Sequence, residues 1–211
     1  MSAGARARWT RWSIVAGYTL VLYATLPLGR PVISSFREQL SPARQHQYVG
    51  VAFAVVGVTA ASLLLVYRAV LTPRAYVAAA ILARLYYFEL ARLQRYPEEQ
   101  LHFLEYGVLA LLIFRACAVD LRPTWSYVSA AALGALIGLG DECVQGLTVY
   151  IPDILRWIGH PLQNPEYFRR YFGWEDVWIN VLGVLYALAA IGLVWRSRRT
   201  NRLEQLSQCA P

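Results

Sequence analysis

Lysine is absent from these 211 residues, and all 20 basic side chains are arginine. That bias fits a GC-rich genome and says little about function. Charge of either sign is scarce: 16% of residues are charged, against roughly a quarter in an ordinary soluble domain. The three cysteines, Cys117, Cys143 and Cys209, form no C-x-x-C pair and no even framework, so structural disulfides are not expected. H-E-x-x-H, G-x-S-x-G and P-loop patterns are missing, which leaves no support for those enzyme classes. There is no internal repeat and no low-complexity tract. The apolar stretch from Trp12 to Leu28 follows three arginines, but no A-x-A site ends it. An uncleaved first helix is expected rather than a signal peptide.

What is present is oil. Hydrophobic residues make up 57% of the chain, and the mean hydropathy is positive at +0.38. Apolar runs recur at roughly 9–28, 49–71, 75–92, 101–119, 124–149 and 175–196, each near the ~20 residues that cross a bilayer core as a helix. The expected fold is all-α: one membrane domain over 1–211 with six transmembrane helices. If the third run, which carries Arg84 and Glu89, lies in the interface, the count falls to five. The net charge of +7 comes from arginines flanking these runs, where they anchor helix ends, so no nucleic-acid partner is expected. Eleven arginines fall on the N-terminal side of the first run and on the loops and tail sharing its face, against eight opposite. The bias places the N-terminus inside and most acids outside.

Between the fifth and sixth runs, residues 146–174 hold Pro152, Pro161 and Pro165 amid Tyr150, Trp157, Tyr167, Phe168, Tyr171, Phe172 and Trp174. Proline breaks and aromatic rings together read as an interfacial loop in the headgroup zone.

Three polar clusters interrupt the apolar pattern. Glu98, Glu99, His102, Glu105 and Tyr106 open the fourth run, and Glu98, His102, Glu105 and Tyr106 follow a single helical stripe. Asp141, Glu142, Cys143 and Gln145 close the fifth. Glu175, Asp176 and Asn180 open the sixth, with Asp176, Asn180 and Gly183 in line. Alternating directions bring these three ends to one face. Ala130, Gly134, Gly138 and Glu142 recur every four residues, so small side chains let a neighbouring helix approach and carry Glu142 to a helix junction. Charges in a bilayer cost about 3 kcal/mol each even on lenient scales, so several at one level imply a watered, partly buried pocket.

In their order these segments resemble the VanZ-like family of bacterial membrane proteins, in which a D-K-x-x-H segment opens one helix, D-E-x-x-Q closes the next, and Arg, Asp, Asn and Gly open the last. Glu98 and His102 match the first motif, Asp141, Glu142 and Gln145 the second, and Arg170, Asp176, Asn180 and Gly183 the third. The resemblance covers 97–190. Glu99 stands where lysine is common, and the stretch from Gln145 to Arg170 is longer than usual. The resemblance implies a bacterial inner-membrane protein with a cell-envelope role, linked to teicoplanin susceptibility rather than to a defined reaction.

Two functional readings follow. In the first, Glu98, Tyr106, Asp141, Gln145, Arg170, Asp176 and Asn180 form an outward pocket for a membrane lipid or a lipid-linked envelope precursor. In the second, His102 and Glu142 serve as catalytic acid or base in an intramembrane hydrolase or transferase. A divalent cation held by Glu98, Asp141, Glu142, Asp176 and Asn180 would assist it. A network of Arg170, the acids and His102 is favoured over the metal site. A transporter ranks last, because Arg84 is the one polar residue beyond that face.

Overall fold

The computed structural model describes residues 3–39, 42–66, 68, 71–92, 97–160 and 172–208. All regular structure among them is helical. The six expected runs become six long helices: α1 (Ala3–Gln39), α2 (Pro42–Val66), α3 (Pro73–Arg92), α4 (Pro97–Cys117), α5 (Pro123–Leu147) and, after a short insertion, α7 (Trp174–Gln208). The insertion holds a 3₁₀ turn (Thr148–Tyr150) and the seven-residue α6 (Ile151–Trp157).

Proline punctuates this order. The helices α2, α3, α4 and α5 each begin on proline. At a helix start its fixed φ is already helical and its missing N–H would have had no partner. The same logic corrects the reading of Pro152 as a breaker. It sits in the first turn of α6, which it starts rather than stops. Residues 161–171, with Pro161 and Pro165, lie outside the described set.

The fourth helix is the hub. Phe103, Tyr106, Leu109, Ala110, Ile113, Phe114, Ala116 and Cys117 are all buried along it, a wide apolar face that only a helix surrounded by others can satisfy. It packs most closely on α7 and α5, then on α1. Cross-links fix directions. Arg11 near the start of α1 donates to the carbonyl of Arg115 near the end of α4 at 2.9 Å, and Tyr18 donates to the carbonyl of Glu105 at 3.1 Å. The two helices are therefore antiparallel. Rings of Phe53, Tyr86, Phe103 and Tyr186 tie α2, α3, α4 and α7 at one level, with Tyr86 centred 5.4 Å from Phe103 and 5.5 Å from Tyr186.

Large apolar side chains also cover much of the outer surface. Val51, Val55, Val58 and Leu65 on α2, Val77, Ile81, Leu85 and Phe88 on α3, and Leu136, Trp178 and Leu185 on α5 and α7 all face outward. Among the described residues two stretches, Pro123–Trp157 and Trp174–Val194, are long and apolar enough to cross a membrane.

Candidate functional site

The small-residue stripe of α5 is where the site begins. Ala130, Gly134, Gly138 and Glu142 are all buried, and they face α7. A methyl group at Gly134 would lie 2.8 Å from a Val184 methyl, and one at Gly138 would lie 2.9 Å from Asn180 Cβ and 3.3 Å from the Tyr106 ring. Gly183 answers from α7: a Cβ there would meet the Phe103 carbonyl oxygen at 2.9 Å. Three helices thus touch nearly backbone to backbone, which small side chains alone permit.

This close approach delivers polar groups to one junction at the start of α4, the end of α5 and the start of α7. Tyr106 is fully buried, and its hydroxyl donates to Asp141 Oδ2 at 2.9 Å. Gln145 Nε2 donates to Glu142 Oε1 at 3.0 Å. The Gly173 amide donates to Glu142 Oε2 at 3.3 Å. Gly173 immediately precedes the first residue of α7, so the Glu142 carboxylate of α5 faces the positive end of that helix. Asn180, also fully buried, donates through Nδ2 to the Gly138 carbonyl at 3.5 Å, while its Oδ1 is buried with no donor among the described residues.

Asp176 lies in the first turn of α7, its carboxylate beside Gly173. Asp141, Asp176 and His102 all stand close enough to act electrostatically on Glu142. His102 is mostly buried and its Nδ1 lies 3.3 Å from Glu105 Oε2, one turn along the same helix. Glu105 shares that face of α4 with His102, its side chain 41% exposed where the fully buried Tyr106 is covered. The structure therefore brings together Tyr106, Asp141, Glu142, Gln145 and Asn180, with Asp176 and His102 at the rim. The side chain of Glu98 and all of Arg170 lie outside the described residues. No group of three or more His, Cys, Asp or Glu side chains is gathered as a cation site among the described residues.

Three contributors escaped the sequence reading. Tyr23 of α1 donates to the Ile137 carbonyl at 2.7 Å, touches the close side of Gly140 and lies within electrostatic reach of Asp141. Tyr18, five residues earlier, secures the start of α4. The third is the Gly173 amide. A signal for the tyrosines existed: a hydroxyl inside an apolar run needs a partner when buried. Nothing in the sequence marks a particular backbone amide.

No family model, curated protein or solved structure matches this chain, so the site stands on its own geometry.

Proposed function

We propose that the chain is a six-span bacterial inner-membrane protein of the VanZ-like type, with its N-terminus inside. Its polar junction forms an outward pocket for the hydrogen-bonding headgroup of a lipid-linked cell-envelope precursor. One observation carries the reading. Tyr106, Asp141, Glu142, Gln145 and Asn180 converge, fully or almost fully buried, at one end of a bundle whose outer surface is apolar. A soluble protein would turn those groups outward and the exposed valines and leucines of α2 and α3 inward.

The chemistry of the lining sets the ligand class. Asp141 and Glu142 present acceptor oxygens, and Asn180 Oδ1 is a further buried acceptor. Such a surface suits sugar hydroxyls and peptide amides, which donate, better than a bare phosphate, which would be repelled. Binding to an envelope precursor would shield it or hold it, which accords with an effect on glycopeptide susceptibility. In the alternative reading, a divalent cation would have to draw acids such as Asp141, Glu142 and Asp176 together, since no three are gathered as a cation site among the described residues, and the pocket would cleave or transfer the headgroup.

Melting of the full-length protein in lipid nanodiscs distinguishes these. A polyprenyl-diphosphate disaccharide-pentapeptide should raise the wild-type midpoint saturably, as any ligand selective for the folded state does. Glu142→Gln should lose the shift. If wild type shows no shift with this probe, the precursor reading fails. A shift that needs Mg²⁺, is abolished by EDTA and is accompanied by released headgroup would replace it with the enzyme.

A further inference from the structure

The opposite end of the molecule carries a second site. Here α1 starts and α4 ends, and between them lies an open cleft of about 570 Å³ lined by Arg6, Ala7, Thr10, Arg11, Ile14 and Arg115. Three of these six are arginines, and the remainder supply a mainly apolar floor. We propose that this cleft binds the phosphate headgroup of an anionic phospholipid from the inner leaflet, a reading that rests on the membrane placement above.

Charge complementarity argues for it. None of Arg6, Arg11 and Arg115 has a carboxylate partner within ion-pair distance among the described residues. The nearby acid that would oppose an anion, Asp120, is already held by Arg8 at 2.6 Å. The negative end of the α4 dipole would be a second opponent, but Arg11 covers it by donating to the Arg115 carbonyl at 2.9 Å. That bond uses one of five guanidinium N–H groups and leaves the others for a ligand. Thr10 is turned back on its own helix, its hydroxyl donating to the Arg6 carbonyl.

Geometry selects a lipid over a free anion. Arg6 and Arg115 belong to different helices, so a phosphate between them is gripped from two sides by planar donors. Ile14 lies two turns along α1 from Ala7, half exposed on the outer surface of the bundle, where an acyl chain would follow the headgroup. A basic pocket between helices on the arginine-rich face is the arrangement that recognises anionic headgroups. Arginines serving merely as anchors would show no saturation, and the loss on substitution would not depend on which arginine is removed.

The test uses the full chain purified in a neutral detergent and titrated with dioleoyl phosphatidylglycerol or dioleoyl phosphatidylcholine, followed by native mass spectrometry and thermal melting. Carbonate-resistant membrane fractionation of the expressed chain is checked first. Loss of the protein to the soluble fraction would condemn the membrane reading itself, separately from the cleft. Phosphatidylglycerol should bind saturably at least tenfold tighter than phosphatidylcholine. Arg6→Gln with Arg115→Gln should weaken it about tenfold or more, since each charge-assisted contact is worth about one decade. Arg68→Gln, on the turn after α2 at the same face but away from the cleft, should leave it unchanged. If the double variant does not purify, each single variant is read and should weaken binding about threefold to tenfold. Equal loss in Arg68→Gln, equal affinity for the two lipids, or full competition by millimolar glycerol phosphate would each overturn the lipid site.

Discussion

A buried tyrosine hydroxyl that donates to a buried carboxylate joins α4 to α5 through one hydrogen bond. Tyr106→Phe removes that donor while keeping the ring that fills the junction. Within a bilayer such bonds average about 0.6 kcal/mol and reach about 1.7. The variant should therefore fold and lose about 0.5–1.5 kcal/mol in a reversible unfolding assay in bicelles. A loss above about 3 kcal/mol would mean the hydroxyl holds more than Asp141. Glu142 is a harder case, because it answers both Gln145 and the start of α7. Glu142→Gln keeps an oxygen for one of the two donors, whereas Glu142→Leu leaves both without a partner. Leucine should accordingly lower the melting midpoint several degrees further than glutamine.

Between elements, glycine decides how near two helices come. On the interface of α4 with α7 two glycines make opposite predictions. Gly183→Ala would place its methyl 2.9 Å from a backbone oxygen of Phe103, and a helix backbone in the hub cannot move aside. Overpacking of this kind costs about 1–3 kcal/mol. At Gly107 the nearest atoms stand 3.8 Å away, so alanine fits and gains up to about 1 kcal/mol of helix propensity. A melting comparison should find Gly183→Ala below wild type and Gly107→Ala at or above it; the reverse order would refute the packing. For α5 against α7, Gly134→Ala strikes a Val184 methyl, and valine has little rotamer freedom in a helix. Adding Val184→Ala should restore the lost stability, and strictly additive losses would show the two residues are not in contact.

For the whole molecule the solvent decides what holds it together. In the proposed bilayer, lipid would be as apolar as the buried face of α4, so burying Leu109 or Ile113 would give little drive to associate. Close packing at glycines, the ring cluster around Tyr86 and the cross-helix bonds of Tyr18, Tyr23 and Tyr106 would then supply it. Topology is open to a direct check. With native cysteines removed, single cysteines at Trp157, fully outward beyond the pocket, and at Arg68, on the turn after α2, should be labelled from opposite sides of the membrane. Labelling of both from one side would overturn the six-span arrangement.

The sequence by itself determined the helices. Six apolar runs separated by prolines and arginines became six long helices, and four of them start on the proline that ends the preceding loop. It also marked Tyr106, Asp141, Glu142, Gln145 and Asn180, because a polar residue in an apolar run stands out and helical spacing groups it with its neighbours. Glu105 keeps its place on the α4 stripe, one turn from His102 and 3.3 Å from its Nδ1. Only the tertiary structure decided which groups meet. The pairing of Glu142 with the Gly173 amide, the reach of Tyr23 to α5, and the seat of Arg11 on the end of α4 join residues 31 to 114 positions apart. Such contacts depend on how closely helices pack and how they are rotated. Periodicity along one helix records neither.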